Sequence, residues 1–256
     1  MTNKPQNSKP TRVTFSGEYL TFNDVFKAYP SAKSYHSSSS MQQLEMLAKQ
    51  KLNSLSSNTI PESSWANGRD NIVLTLLTTL FTNKTLRIFD IGGGLGSLFT
   101  SIKISCPQIK VDYTILELPE TVIQGNKLFS EFSEIKFVTE IPQKDETFDI
   151  CLFASSLQYF EDYKGIIQVA CIYKPQWIIL VDHPMTNSPS FVCAQVNMSD
   201  RVIPIMVFNL LNIIQIFGVH GYNLKMKSIS HYPFHNFSNY ENDLSKTNFY
   251  NLIFSR

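Results

Sequence analysis

The sequence predicts an α/β protein built on a doubly wound, mostly parallel sheet of seven strands, with an N-terminal helical extension. Five short apolar runs alternate with segments of helix length, as in strand–helix–strand units with right-handed crossovers. A glycine-rich bend follows the first run. Two further apolar runs near the C-terminus are separated by a long polar stretch, which favours a pair of strands with at least one antiparallel to the rest.

The 256 residues are enough for one large α/β domain or two small ones. Residues 1–60 are predicted to form a tail and a helical extension, and residues 61–256 the main domain. Apolar residues recur at helical spacing in 41–55 and in 71–81. We therefore expect two helices ahead of the first strand.

The main domain begins with five apolar runs that are rich in β-branched and aromatic residues, as buried parallel strands are. These predicted strands are 86–91, 111–116, 135–138, 148–153 and 177–181. The predicted helices between them are 95–105, 119–132 and 161–173.

The pattern changes in the last third of the chain. The segment 202–217 is strongly apolar but too short for a membrane span of about 20 residues, and it contains Pro204 and three amide side chains. It is therefore predicted to be a core helix, and no membrane span is predicted. The final runs, 223–229 and 249–254, complete the seven strands.

Composition excludes several classes of partner and site. Lys and Arg number 22 against 21 Asp and Glu, so a net charge of +1 gives no attraction to nucleic acid or anionic membranes. The four cysteines form no C-x-x-C pair and have no metal-ligand spacing to a histidine. A reduced, cytoplasmic protein without a metal site is expected.

The strongest local signal is the bend between the first predicted strand and the following helix. It reads DIGGGLGS from Asp90 to Ser97. Its glycines allow a tight turn and a close approach of ligand to backbone; they are Gly92, Gly93, Gly94 and Gly96. Such a bend can also be only a tight turn.

Two classes of cofactor use a bend of this kind. A dinucleotide site requires G-x-G-x-x-G, so that the pyrophosphate lies on the helix N-terminus. Here Ser97 occupies the sixth position, and Asp90 would repel a pyrophosphate but could pair with an ammonium group. These features favour S-adenosylmethionine, whose carboxylate the helix N-terminus could hold. A nicotinamide-dependent oxidoreductase is the less favoured alternative.

A second anchor follows the second predicted strand. Glu117 can accept hydrogen bonds from both ribose hydroxyls, although a solvated acid at a strand end is the alternative. Leu118 and Ile141 would flank the adenine ring, and backbone groups near Glu140 would hydrogen-bond to the edge of that ring. Ser155 follows the fourth strand at the same edge of the sheet.

Four segments in this order resemble class I S-adenosylmethionine-dependent methyltransferases across residues 86–184: IFDIGGGLGS, TILELPE, FDICLFASSLQYF and WIILVDHP. More narrowly, FSGEYLTFNDVFKAY, SSLQYF, FVCAQVN, VFNLL and HGYNLK resemble methyltransferases encoded among bacterial genes for cell-surface polysaccharides. The resemblance implies a Rossmann-like methyltransferase fold. It also implies cofactor contacts at Asp90, Gly92, Gly94, Gly96 and Glu117.

Catalytic and acceptor residues are less clearly marked. His183 follows the strand-ending Asp182, where the family would have arginine; it could act as a general base or only hydrogen-bond in a loop. Gln195 could bind sugar hydroxyls, or face a helix without contacting substrate. Tyr159, with Tyr35 and Trp65, could form apolar walls or belong to the core.

The predicted function is methyl transfer from S-adenosylmethionine, with a sugar hydroxyl of a surface glycan or its precursor as the acceptor. The glycan part follows from the resemblance alone. Transfer from a sulfonium chiefly needs alignment and exclusion of water, so few catalytic residues are required. The alternative is a methyltransferase-like domain that binds the cofactor or a partner protein without turnover. The sequence assigns no oligomeric state.

Overall fold

A computed structural model describes residues 13–30, 38–57, 69–80, 84–198, 201–230, 235–236 and 247–256. Strands and helices are numbered along the described chain. The helices are α1 (Phe22–Ala28), α2 (Ser38–Ser57), α3 (Arg69–Leu80), α4 (Ser97–Ser105), α5 (Pro119–Leu128), α6 (Tyr163–Ile172) and α7 (Leu210–Val219). A 3₁₀ turn spans Leu157–Tyr159. The predicted boundary between residues 60 and 61 lies outside the described residues and stays a prediction.

The central sheet contains the seven strands that the sequence predicts. In spatial order they are β4 (Ile135–Val138), β3 (Val111–Leu116), β2 (Leu86–Ile91), β5 (Ile150–Ala154), β6 (Trp177–Thr186), β11 (Asn248–Ser255) and β9 (Asn223–Ile229). The first five are parallel, and β11 runs antiparallel to both of its neighbours. The doubly wound, mostly parallel sheet is thus confirmed.

Four further strands form an outer sheet that continues from β6. They are β8 (Arg201–Asn209), β7 (Phe191–Met198), β1 (Val13–Tyr19) and β10 (His235–Asn236), in that spatial order. β8 joins β6 in parallel, with Met185 opposite Phe208 and Thr186 opposite Asn209. Because β6 extends to Thr186 rather than ending at residue 181, one strand belongs to both sheets.

The prediction of a single core helix over 202–217 is wrong in its first half. Residues up to Asn209 form β8, which pairs with β7 along its length, and only the remainder is helical. Pro204 lacks an N–H but is tolerated because β8 meets β6 beyond it, at Phe208. The Asn209 side chain then accepts from the Asn212 N–H at 2.9 Å, which caps α7.

Helices cover both faces of the central sheet. α3 and α4 pack on one face, where Ile88 and Tyr113 are buried. α6 and α7 pack on the other, around Phe89 and Phe153. No helix in the described part of the chain is long and apolar enough to cross a membrane.

Three aromatic rings fill the second face beneath the start of β5. The ring of Phe89 stacks on Phe148 at 4.9 Å between centroids, and Tyr173 meets both edge-on. Burial raises the pKa of Tyr173 to about 12, so its hydroxyl stays protonated and donates to the Pro142 carbonyl. The cluster holds β2 in place through Phe89, the residue that precedes Asp90.

Phe89→Ala is expected to lower the free energy of unfolding by about 3–5 kcal/mol, because it empties the centre of this cluster. Urea denaturation measures the loss. The control Ile123→Ala removes a side chain that is 66% exposed and should change stability by under about 0.5 kcal/mol. Equal losses in the two variants would contradict the packing argument.

Candidate functional site

The glycine bend lies between β2 and α4, at the carboxyl edge of the sheet. Gly92 has φ +76°, and a Cβ there would lie 2.6 Å from the Cβ of Ser156. Gly94 has φ +59°, and a Cβ there would meet no atom within 4 Å. Both positions favour glycine. The first lets the bend pack against the end of β5, and the second leaves bare backbone beside open space.

Asp90 supports the bend from inside the protein. It is 1% exposed, and its Oδ2 accepts a hydrogen bond of 2.7 Å from the hydroxyl of Tyr113 on β3. A Cβ on Gly93 would collide with the same carboxylate oxygen. Asp90 therefore packs directly beneath the glycines rather than facing bulk water.

Glu117 joins the bend to the tip of the neighbouring strand. Its Oε1 accepts the Gly94 N–H and its Oε2 accepts the Leu118 N–H, each at 2.9 Å. The Gly92 N–H also donates to the Leu116 carbonyl at 2.9 Å. One carboxylate thus holds two backbone segments in register while remaining partly exposed.

Exposed apolar side chains follow the ends of β3 and β4. Leu118 is 49% exposed and Ile141 is 51% exposed, although both are large hydrophobic residues. Glu140 is also exposed. The Glu117 N–H donates to the Val138 carbonyl at 3.0 Å, which keeps the tips of β3 and β4 side by side. The adenine role of these side chains stays a prediction.

The end of β5 forms the opposite wall of the bend. Ser155 adopts φ +58°, which is uncommon for a residue other than glycine, and its N–H donates to the Val181 carbonyl at 2.8 Å. Gln158 fixes this turn by donating from Nε2 to the Ser155 carbonyl at 2.9 Å. The Ser156 hydroxyl donates to the Ile91 carbonyl at 2.5 Å. These bonds tie the turn after β5 to β2.

A bulge in β6 positions His183. Val181 and Asp182 together face Asn251 of β11, and Asp182 has φ +61°. The Asp182 N–H donates to Asn251 Oδ1 at 2.9 Å, so a side chain replaces the ladder bond lost at the bulge. His183 lies inside the strand and is fully buried, with Nε2 accepting the Leu157 N–H at 3.2 Å.

The acceptor candidates Tyr159 and Gln195 lie together. The Tyr159 hydroxyl donates to Gln195 Oε1 at 3.3 Å, which links the 3₁₀ turn to β7 of the outer sheet. Gln195 is on a strand, not on a helix. Tyr35 and Trp65 lie outside the described residues.

The predicted residues therefore form two adjoining groups. In the first group, hydrogen bonds connect the glycine bend and β2 with Glu117 and the end of β5. The second group is His183, Tyr159 and Gln195, which are connected through hydrogen bonds of the 3₁₀ turn. Sequence analysis missed Tyr113, although it lies diagonally across the β2–β3 ladder from Asp90 on the same face. It also missed Lys51 of α2, which no motif marks. Within the described ranges, no three His, Cys, Asp or Glu side chains cluster as a metal site would require.

Comparison with known proteins places the fold. No protein-family model matches the sequence, and no curated protein does either. Magnesium protoporphyrin IX methyltransferase (ChlM) from Synechocystis PCC 6803 with bound SAM is similar in structure, with a TM-score of 0.54, 14% identity, and 94% of this chain and 100% of that chain covered.

Two other solved structures are similar. The same ChlM with bound SAH has a TM-score of 0.51 at 17% identity, covering 73% of this chain and 81% of that one. The [4+2]-cyclase SpnF has a TM-score of 0.53 at 11% identity, with the same coverages of 73% and 81%. At such identities the similarity shows the fold alone, a Rossmann-like α/β fold that this chain shares with the methyltransferase ChlM.

Tyr113→Phe is expected to destabilise the protein by about 1–3 kcal/mol, because it leaves one oxygen of a buried carboxylate without this donor. The matched control is Tyr29→Phe, whose hydroxyl makes a 3.4 Å contact with Ser16 at the surface. Chemical denaturation of both variants measures the difference. If Tyr113→Phe cost no more than the control, Tyr113 would not be the support of Asp90.

Proposed function

We propose that this chain is an S-adenosylmethionine-dependent methyltransferase that methylates a sugar hydroxyl of a surface glycan or of its precursor. The observation that carries the proposal is the Glu117 carboxylate bonded to the glycine bend. It puts a partly exposed acid beside bare backbone at the carboxyl edge of a parallel sheet, where ligands of open α/β sheets bind.

The residues present suit this cofactor. A carboxylate offers about four lone-pair sites, and two backbone N–H groups occupy one on each oxygen of Glu117. The others are available to the two hydroxyls of a ribose. Leu118 and Ile141 offer exposed apolar surface for an adenine ring, and the open space at Gly94 would admit a chain of atoms that any Cβ would obstruct.

When bound, S-adenosylmethionine supplies a methyl group that is activated by the positive charge of its sulfonium. The work left to the chain is to orient both reactants and exclude water. The glycine bend and Glu117 would orient the cofactor. Tyr159 and Gln195 would hold the acceptor through their hydroxyl and amide groups. His183 would receive the acceptor's proton at Nε2, in a step that requires the acceptor to replace the Leu157 N–H at that nitrogen.

The sugar acceptor is supported by the resemblance to methyltransferases of polysaccharide gene clusters and by one contact. The pair formed by Tyr159 and Gln195 combines an aromatic ring with an amide, a pairing suited to the apolar face and the hydroxyls of a sugar. On this proposal the chain works in the cytoplasm on a glycan or its precursor, without nucleic acid.

A second candidate function is a domain of the same fold that does not transfer methyl groups. One structure of similar fold is named a [4+2]-cyclase, so this fold does not by itself specify methyl transfer. Incubation with methyl-labelled S-adenosylmethionine and a panel of sugar nucleotides separates the two. Label in a sugar supports transfer, whereas calorimetric binding without label in any acceptor supports the second candidate.

Calorimetry with S-adenosylhomocysteine tests the cofactor assignment. Glu117→Gln is expected to weaken binding by about 10- to 100-fold, because a charged acceptor of two hydroxyls becomes a neutral amide. The control Glu131→Gln alters an exposed acid that follows the end of α5 and should bind as the wild type does. Wild-type protein that preferred NADH over S-adenosylhomocysteine would overturn the assignment.

His183→Ala is expected to lower the turnover number while leaving the affinity for S-adenosylhomocysteine nearly unchanged, because His183 contacts the 3₁₀ turn rather than the glycine bend. A thermal melt controls for the loss of a buried side chain. His183→Gln retains an acceptor for the Leu157 N–H, so it should restore stability but not turnover. Normal turnover in either variant would remove His183 from the mechanism.

A further inference from the structure

Gln158 is a buried glutamine in the 3₁₀ turn after β5, and the proposed function gives it no part in the reaction. It is only 2% exposed. Its Nε2 donates to the Ser155 carbonyl at 2.9 Å and to the Ser155 hydroxyl oxygen at 3.2 Å. Both hydrogens of the side-chain amide are therefore donated to a single residue.

The other end of the same amide is unpaired. Among the described residues, no donor lies within hydrogen-bonding distance of Gln158 Oε1, which is shielded from solvent. Turning the amide over would place Oε1 against the Ser155 carbonyl, so the observed orientation is the favourable one. A buried acceptor without a donor is costly, and an apolar side chain of similar size would avoid that cost. The presence of glutamine is thus explained by what its N–H groups do for Ser155.

Ser155 combines an uncommon conformation with a central place in the candidate site. Its φ is +58°, and its N–H donates to the carbonyl of Val181, just before the bulge that positions His183. The next residue, Ser156, donates to the carbonyl of Ile91, directly before the glycine bend. Ser155 therefore lies between the bend that would bind the cofactor and the histidine that would receive the acceptor's proton.

The hydrogen bond from Gln158 also limits where the Ser155 hydroxyl can point. An amide N–H₂ group donates and does not accept, so the Ser155 proton cannot be directed at Gln158 Nε2. The hydroxyl accepts on one lone pair and keeps its own proton for a different partner. Because Ser155 is only partly buried, that proton is available to a ligand at the carboxyl edge of the sheet.

We infer that Gln158 is a positioning residue, which holds the Ser155 hydroxyl so that it donates to the acceptor oxygen that receives the methyl group. The inference rests on the proposed function, because it requires an acceptor hydroxyl between the cofactor and His183. That oxygen has two lone pairs and one proton. Ser155 would occupy one lone pair and His183 would receive the proton, which leaves the second lone pair free to take up the methyl group.

Turnover measurements with methyl-labelled S-adenosylmethionine and the panel of sugar nucleotides test the inference. Gln158→Met fills a similar volume without the amide, so it should lower the turnover number about tenfold, the usual cost of one lost hydrogen bond. Ser155→Ala should lower the turnover number to a similar extent. The double variant should be no slower than Ser155→Ala, because Gln158 acts only through that hydroxyl.

Two further measurements distinguish positioning from a structural role. The melting temperature of Gln158→Met should stay close to that of the wild type, because the variant also removes the unpaired carbonyl. Its affinity for S-adenosylhomocysteine, measured by calorimetry, should be unchanged. The matched control is Gln124→Met on α5, where Oε1 is likewise buried without a donor among the described residues. The control should alter neither turnover, melting temperature nor affinity.

The results separate failure of this inference from failure of the proposed function. If the losses of the two single variants multiply in the double variant, Gln158 does not act through Ser155. A melting temperature lowered far more by Gln158→Met than by Gln124→Met would make the role structural. Normal turnover of Gln158→Met, or weakened binding of S-adenosylhomocysteine, would also overturn the inference alone. If the wild type labels no sugar nucleotide, the proposed function fails and this inference fails with it.

Discussion

The arrangement of the site depends on one carboxylate that satisfies backbone donors from two chain segments. Because Glu117 accepts the N–H groups of Gly94 and Leu118, the glycine bend and the tip of β3 cannot separate without leaving a partly buried charge and two amides unpaired. Asp90 gives the same bend a support from below through Tyr113. Asp90 in β2 and Glu117 just beyond the end of β3 therefore hold the bend from two sides.

The central sheet could be predicted from the sequence because each of its parallel strands is a short apolar run that ends at a turn or a helix start. The outer sheet could not. Its longest strand, β8, lies in a continuous apolar segment with α7, and periodicity does not distinguish a buried strand from a buried helix within such a run. Asn209, which begins the helix, was the available signal because asparagine is a preferred N-cap.

The residues of the candidate site also fall into those that the sequence could predict and those that it could not. Gly92, Gly94 and Glu117 could be predicted because the bend and the strand tip are marked by local sequence. The contacts of Tyr113 and Lys51 could not be predicted. The first crosses a strand pair, and the second joins α2 to α4, which have α3 and β2 between them in the chain. His183 was expected after β6 but lies within it, because the bulge at Asp182 allows the strand to continue past the edge of the central sheet.

That bulge has a mechanical consequence. β6 belongs to both sheets and connects them. The hydrogen bond that the Asp182 N–H donates to the Asn251 side chain holds β6 at the point where it passes from one sheet to the other. A displacement of the outer sheet would be transmitted to the glycine bend through β6, or through the 3₁₀ turn that contacts His183 and Gln195. Substitutions in β7 or β1 that displace the outer sheet would consequently also displace the residues beside the glycine bend.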